Sequence, residues 1–175
     1  DKVGFLMNFS RHYIDGRWAD SHSEAMIAVV NPATMQPFAQ IPAGDPEDAE
    51  AAAEAARRAF PAWTKTTLEE RISLMMKWAE VLTKRAETIG ELEVQELGTS
   101  WEYSYKKHGL YQIGRIKAYC ECAREMGFQG KLTGAYVRME PVGVVSCITP
   151  WNYPLGQIIQ KVIPALLMGN TVVLK

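Results

Sequence analysis

Two side chains near the end of the sequence could take part in chemistry, and each follows a short apolar run. Asn152 lies in a loop between Pro150 and Pro154, and Lys175 follows Thr171-Val172-Val173-Leu174. Prolines stiffen a loop, so the Asn152 amide can be held in a fixed place. Such an amide can donate a hydrogen bond to a developing oxyanion, which contributes about 3 kcal/mol in comparable sites. A lysine ammonium carries three donors and suits ribose hydroxyls or a phosphate.

The elements around these two residues predict a β-α-β unit. Residues 142–148 form a short, mostly apolar run, which is typical of a strand covered on both faces. A loop follows, then a helix near 155–168 and a second strand over the last five residues, 171–175. Ligands of open parallel sheets bind beyond the C-terminal ends of the strands. If the two strands are neighbours, Asn152 and Lys175 face one site.

Strands are expected at both ends of the preceding region. Residues 12–42 have β-type patterning, with Asp15-Gly16 as a hairpin signal and a turn at 31–34. Residues 135–140 alternate in polarity, which is typical of a half-exposed strand.

Three helices are expected between these strands. The first covers 45–60 and is ended by Pro61, the second spans about 68–97, and the third covers roughly 101–126. The start and stop signals are Asp45 with Pro46, Thr67 with Glu70, and Gly98.

Composition excludes several classes of protein. The 19 basic and 20 acidic residues give a net charge of -1, which provides no electrostatic reason to expect nucleic acid or a membrane as partner. Three cysteines without zinc-like spacing fit a reduced, cytoplasmic setting, and no metal site is expected. The last strand has no turn or cap after it, so we expect the chain to be incomplete. The cysteines interpreted as structural are Cys120, Cys122 and Cys147. The three histidines are far apart in the sequence and show no ligand spacing: His12, His22 and His108.

Several segments together resemble the aldehyde dehydrogenase superfamily. The most specific are Pro141-Val142-Gly143-Val144-Val145, Ile148-Thr149-Pro150-Trp151-Asn152-Tyr153-Pro154-Leu155, Pro164-Ala165-Leu166 and Gly169-Asn170-Thr171-Val172-Val173-Leu174-Lys175. Earlier segments agree: Tyr13-Ile14-Asp15-Gly16-Arg17-Trp18, Val30-Asn31-Pro32-Ala33-Thr34, and Ala55-Ala56-Arg57-Arg58-Ala59-Phe60 followed by Trp63. The resemblance covers nearly all of this chain and the first third or so of a typical family member.

The resemblance implies a role for each matching position. Asn152 is similar to the oxyanion-hole asparagine, and Tyr153 would border the substrate tunnel. Lys175 is similar to the lysine that holds the adenosine ribose, or the 2′-phosphate in users of NADP. Lys161 matches a helix lysine near the site. The residues that would line the nicotinamide side of the cofactor site are Ile148, Thr149, Pro150 and Trp151, beside Asn152.

The resemblance also implies a fold and a reaction. The fold is α/β, with an incomplete, parallel, Rossmann-like cofactor-binding sheet, long helices, and N-terminal hairpin strands. Residues 1–175 would be the N-terminal part of the NAD(P)-binding domain, with oligomerisation strands at about 12–42 and 134–140. The complete protein, a homodimer or homotetramer, would oxidise an aldehyde to a carboxylic acid with NAD or NADP, through a cysteine thiohemiacetal and thioester. The catalytic cysteine and glutamate would lie beyond residue 175, so this segment alone is expected to be inactive.

Two positions depart from the family pattern. Met35 stands where the family usually has glycine, and Gly98-Thr99-Ser100 replaces a common Gly-Lys-Pro. Both bear on the subfamily.

Other functions remain open at this point. A non-catalytic relative could have kept the fold as a binding or structural protein, and an unrelated α/β binding domain could contain the Pro-Trp-Asn loop by coincidence. An acylating or semialdehyde-specific member is a further alternative.

Overall fold

The computed structural model describes residues 7–8, 11–126 and 129–175. The strands are β1 (Met7–Asn8), β2 (Arg11–Ile14), β3 (Arg17–Asp20), β4 (Met26–Asn31), β5 (Gln36–Pro42), β6 (Gln129–Leu132), β7 (Ala135–Arg138), β8 (Val144–Cys147) and β9 (Thr171–Leu174). The helices are α1 (Pro46–Trp63), α2 (Leu68–Lys84), α3 (Ala86–Leu97), α4 (Trp101–Tyr103), a π-helix (Ser104–Leu110), α5 (Tyr111–Glu125) and α6 (Pro154–Leu167).

Within these ranges the strands form four small sheets. β5 lies between β1, which is parallel to it, and β4, which is antiparallel. β2 pairs with β3 and β6 with β7, both antiparallel, whereas β8 and β9 are parallel and joined through α6. The architecture is therefore mixed α/β, as the sequence predicts.

The predicted turns are confirmed. Asp15 and Gly16 both have positive φ, 55° and 72°, as a two-residue hairpin turn with the twist of the strands requires. The Asn31 side chain accepts hydrogen bonds from the N–H groups of Ala33 and Thr34. Met35 also has a positive φ, 59°. Glycine adopts this left-handed conformation without strain, whereas the Met35 side chain makes it less favourable.

The first helix was expected to end before Pro61, but α1 continues for three more residues, to Trp63. Pro61 removes a single N–H near the end of the helix. The last turn still closes, since the Thr64 N–H donates to the Phe60 carbonyl and the Trp63 indole N–H donates to Leu166 on α6. The predicted start at Asp45 and Pro46 is confirmed.

The single helix expected over 68–97 is two helices, α2 and α3, separated at Arg85. Arg85 leaves the helical region, with φ −106° and ψ 9°, and its N–H donates to Leu82 in a tight turn. The apolar stripe continues across this break. The capping box of Thr67 and Glu70 and the stop at Gly98 are both confirmed.

The third expected helix, 101–126, contains a π-helical segment between α4 and α5. The Tyr111 N–H donates to the Lys106 carbonyl, five residues earlier, which defines this wider turn. The segment buries Ser104 and His108 on its inner side.

The core lies where α2, α5 and α6 pack together. Fully buried side chains include Ile116 on α5 and Ile159 and Ile163 on α6, each at 0% exposure. Burying such a side chain contributes about 1.5–3 kcal/mol, so this contact holds α6 and the loop before it in place. Across the described residues, no helix combines the length and apolarity needed to cross a bilayer.

Two expectations about strand coverage are wrong. All four residues of β7 are exposed, whereas a half-exposed strand was expected. In β8, Cys147 is buried and Val145 is half-buried, but Val144 and Ser146 are exposed. Because successive side chains of a strand point to opposite faces, the face bearing Val144 and Ser146 is exposed, and β8 is covered on one face only.

Candidate functional site

The parallel pairing of β8 and β9 brings the loop and Lys175 together. Cys147 pairs with Leu174, and the Lys175 N–H donates to the Cys147 carbonyl at 2.9 Å. In return, the Thr149 N–H and its Oγ1 both donate to the Lys175 carbonyl, at 2.8 and 3.0 Å. The loop bearing Asn152 and the strand tip bearing Lys175 therefore share one end of the sheet, as predicted.

The loop presents an open surface. Trp151 is 83% exposed and Ile148 is 66% exposed. Within the part of the chain described, the Asn152 amide and the Lys175 ammonium make no hydrogen bond or ion pair. Exposed apolar side chains beside unpaired polar groups are typical of a binding surface. The residues thus fit a ligand with a flat ring and a hydroxyl- or phosphate-bearing part.

Tyr153 joins the loop to the helical part of the molecule. It is the residue before α6, and Pro154 occupies the first helical position. Its hydroxyl is 2.8 Å from the Tyr103 hydroxyl, and this hydrogen bond raises the Tyr153 pKa, as does burial. Its ring stacks on His108, with the ring centroids 4.1 Å apart. The loop is therefore fixed on one side by β9 and on the other by this stack.

The Tyr153 ring packs on a buried ionisable pair, His108 and Glu93. His108 Nδ1 is 3.0 Å from Glu93 Oε2, and the two residues are 2% and 4% exposed. Burial raises the Glu93 pKa to about 7, while the N–H of Leu155 on α6 acts in the opposite direction. Burial also lowers the pKa of His108. Both shifts favour the uncharged forms.

Lys161 is half-buried on α6, where its ammonium donates to Gln157 Oε1 at 2.9 Å. Its charge also lowers the pKa of the Cys147 thiol, although burial has the larger effect and raises that pKa. Lys161 therefore lies on the side of α6 that faces the end of β8. Cys147 is 1% exposed, which confirms that it is a structural residue.

The Gly-Asn segment before β9 supports the sheet. Asn170 Oδ1 accepts from the N–H groups of Val142 and Gly143, at 2.8 and 3.1 Å, and its Nδ2 donates to the Ala165 carbonyl at 3.2 Å. One buried side chain thus connects the entry to β8, the end of α6 and the start of β9. These three contacts give Asn170 a structural role in the segment Gly169-Asn170-Thr171-Val172-Val173-Leu174-Lys175.

Other concave or polar clusters lie away from this end of the sheet. A cavity of about 500 Å³ is lined by residues of α2 and α5, and none of the predicted site residues line it. His22, Asp45 and Glu47 lie close together at the start of α1. Here Asp45 caps the helix and is hydrogen-bonded to His22, so its carboxylate already has partners.

The sequence interpretation missed Glu93 and His108. One signal pointed to Glu93, because it continues the apolar stripe of Ile72 and Ile89 at helical spacing and must therefore face the interior. His108 has no comparable signal, since the π-helical turn that buries it is not encoded by a local motif.

Comparisons with known proteins agree with this geometry. The sequence profile of the aldehyde dehydrogenase family matches residues 18–175. A D-glyceraldehyde dehydrogenase (NADP(+)) of Picrophilus torridus is 35% identical, over 93% of this chain and 34% of its own length. The crystal structure of an aldehyde dehydrogenase from Bartonella henselae superposes with a TM-score of 0.92 at 32% identity, over 97% of this chain and 36% of that one.

A third comparison includes ligands. A mutant of aldehyde dehydrogenase C from Pseudomonas syringae, in complex with NAD+ and octanal, has a TM-score of 0.84 and 34% identity, over 99% of this chain and 35% of that one. The chain therefore belongs to the aldehyde dehydrogenase family. It spans about a third of the length of these relatives.

Proposed function

We propose that the full-length protein oxidises an aldehyde to a carboxylic acid with NAD or NADP as hydride acceptor. One observation carries the proposal: a proline-flanked loop presents the Asn152 amide at the sheet end where the Lys175 ammonium also lies, and neither group has a partner among the residues that the structure describes. The complex of a relative with NAD+ and octanal supports both ligand classes. The name of the Picrophilus relative supports NADP as the alternative cofactor.

In this proposal the residues of the chain bind and orient. The Asn152 amide donates to the aldehyde oxygen as negative charge develops on it, when a cysteine thiolate from outside this chain adds to the carbonyl carbon. The resulting thiohemiacetal is oxidised to a thioester, which water hydrolyses. Tyr153 borders the aldehyde, and Lys161 contributes a positive charge near the end of β8.

The cofactor side of the site consists of the other exposed groups. Ile148 and Trp151 offer apolar surface, Thr149 and Pro150 shape the backbone, and the Lys175 ammonium holds ribose hydroxyls or a phosphate. NAD or NADP, when bound, supplies the acceptor for the hydride that leaves the aldehyde carbon.

The remaining strands suit an assembly. We assign residues 1–175 to the N-terminal part of the NAD(P)-binding domain, and the strands at 12–42 and 134–140 to contacts in a homodimer or homotetramer. Large apolar side chains exposed on β4 and β7, including Ile27 and Val137, support this assignment. All three cysteines are free, which suits the cytoplasm. Segment 1–175 alone would be inactive, because it lacks the proposed nucleophile.

Aldehyde-dependent NADH or NADPH absorbance in the full-length protein tests the proposal. Asn152→Ala should lower kcat by about 10²-fold, because an oxyanion donor is lost, with cofactor affinity nearly unchanged. Lys175→Ala should mainly weaken cofactor binding. Lys117→Ala, at an exposed position on α5, is the matched control and should change neither.

Two outcomes would contradict the proposal. If no aldehyde supports reduction of either cofactor, the protein is a non-catalytic relative. If Asn152→Ala retains normal turnover, the role given to that amide is wrong.

A further inference from the structure

The buried pair of Glu93 and His108 lacks the hydrogen bonds that such groups normally make. Nδ1 and Oε2 are 3.0 Å apart, yet among the described residues neither carboxyl oxygen of Glu93 nor Nδ1 of His108 makes a hydrogen bond of good geometry. The backbone N–H of Leu155 is the nearby donor that acts on the Glu93 carboxyl group. Buried polar atoms are nearly always paired, and exceptions in native proteins often have a functional reason. Burying ionisable groups costs free energy unless they are well hydrogen-bonded, so the presence of this pair calls for an explanation other than stability.

The position of the pair suggests that explanation. Glu93 lies on α3, His108 on the π-helix, and both lie beneath the start of α6. The His108 ring stacks on Tyr153 at 4.1 Å and 24°, and the Tyr153 hydroxyl is held by Tyr103. Tyr153 follows Asn152 directly in the chain. One ring therefore lies between the buried pair and the residue proposed to hold the aldehyde oxygen.

A nearby contact shows what ordinary packing between the same helices looks like. Trp101 stacks on Tyr105 with centroids 5.5 Å apart and an interplanar angle of 13°. The Trp101 ring and the Tyr105 backbone lie against Gly90 of α3. This contact joins the helices without a buried carboxylate. A purely structural contact at position 108 would not need the imidazole and Glu93.

We propose that His108, oriented by Glu93, is a positioning residue for the loop that carries Asn152. The stacked imidazole fixes the Tyr153 ring, and the fixed ring sets the direction of the preceding Asn152 amide. Glu93 keeps the imidazole in the plane that the stack requires. The effect on turnover rests on the proposed function, whereas the effect on loop order does not.

Amide hydrogen exchange in residues 149–153 of the full-length protein tests loop order directly. His108→Ala should raise exchange there by about 10-fold or more, because the loop opens locally when the stack is lost. Trp101→Leu removes a comparable stack that does not contact the loop and should leave exchange at 149–153 unchanged. Tyr153→Leu removes the other ring and should reproduce the His108→Ala result, which keeps the test valid if His108→Ala does not fold.

Steady-state kinetics gives a second measurement. His108→Ala should lower kcat by about 10-fold or more, since small misplacements of a reacting group have effects of this size, while the KM for the cofactor stays the same. The double variant Glu93→Gln with His108→Phe restores a flat ring without a buried ionisable pair. It should recover kcat to within about 3-fold of wild type, because the stack is restored.

The results separate this inference from the proposed function. Unchanged exchange in both His108→Ala and Tyr153→Leu overturns the inference, as does equal loosening of the loop in Trp101→Leu. A double variant as slow as His108→Ala also overturns it. If the wild-type protein oxidises no aldehyde, the proposed function fails, and the exchange result still decides whether His108 positions the loop.

Discussion

Replacing Glu93 by glutamine should change how the stability of the protein depends on pH. Glu93 is 4% exposed, and burial raises its pKa from 4.5 to about 7, with the like charge of Glu96 adding to the shift. Each pKa unit corresponds to about 1.4 kcal/mol of differential free energy between the two protonation states. A pKa shift of this size should therefore change the free energy of unfolding by about 3 kcal/mol between low and high pH.

The sign follows from which state binds the proton more tightly. The folded protein keeps the Glu93 proton up to about pH 7, whereas the unfolded chain releases it near 4.5. The stabilising contribution of Glu93 to the free energy of unfolding is therefore fully present below pH 4.5 and is lost as the pH rises through 7. His108 has the opposite sign, because burial lowers its pKa: its contribution is present above 6.5 and is lost as the pH falls.

The assay is urea unfolding of wild type and Glu93→Gln, both full-length, at several pH values between about 4 and 8, which bracket the two pKa values. Because His108 and Glu96 are present in both proteins, the difference between the two unfolding free energies reports mainly on Glu93. Wild type should lose about 3 kcal/mol relative to Glu93→Gln over the pH window from 4.5 to 7. A difference that stays constant within about 1 kcal/mol over this window would show that Glu93 is not held uncharged by burial.

Two further predictions concern the frame around the site. Asn170→Ala should destabilise the protein by about 3 kcal/mol, because two N–H groups at the entry to β8 lose their acceptor. Asn170→Asp keeps the acceptor oxygen and should therefore destabilise the protein less. Urea unfolding midpoints of the two variants and wild type measure the difference. Gly98→Ala should lower stability by about 1–2 kcal/mol, since φ is 68° and the new Cβ would lie 2.9 Å from Pro32 Cγ. Gly114→Ala, in the interior of α5 with open space around it, is the matched control and should be neutral or stabilising.

The sequence predicted well wherever the determining interactions are local. Turn and cap residues such as Asp15, Asp45 and Gly98 make their contacts within a few positions along the chain, so their types suffice. The shared location of Asn152 and Lys175 followed from the rule that neighbouring parallel strands end at the same edge.

The errors arise where packing between distant elements decides the conformation. The break at Arg85 has no glycine or proline to mark it, and the apolar stripe continues through it, so periodicity predicts one helix. Pro61 does not stop α1, because Trp63 reaches Leu166, far away in the sequence. Likewise, the π-helix around His108 arises where α3 and α6 pack on that segment, and no local pattern encodes it.

The loop 149–153 is held at both ends without use of the side chain that it presents. On the sheet side, Thr149 is bonded to Lys175, and on the helix side Tyr153 is bonded to Tyr103 and stacked on His108. Between these anchors Pro150 restricts the backbone, and the Asn152 amide has no partner in the described part of the chain. Stabilisation of a developing charge depends on dipoles that need not reorganise during the reaction. A loop whose order comes from its two ends, and not from the amide itself, satisfies that requirement.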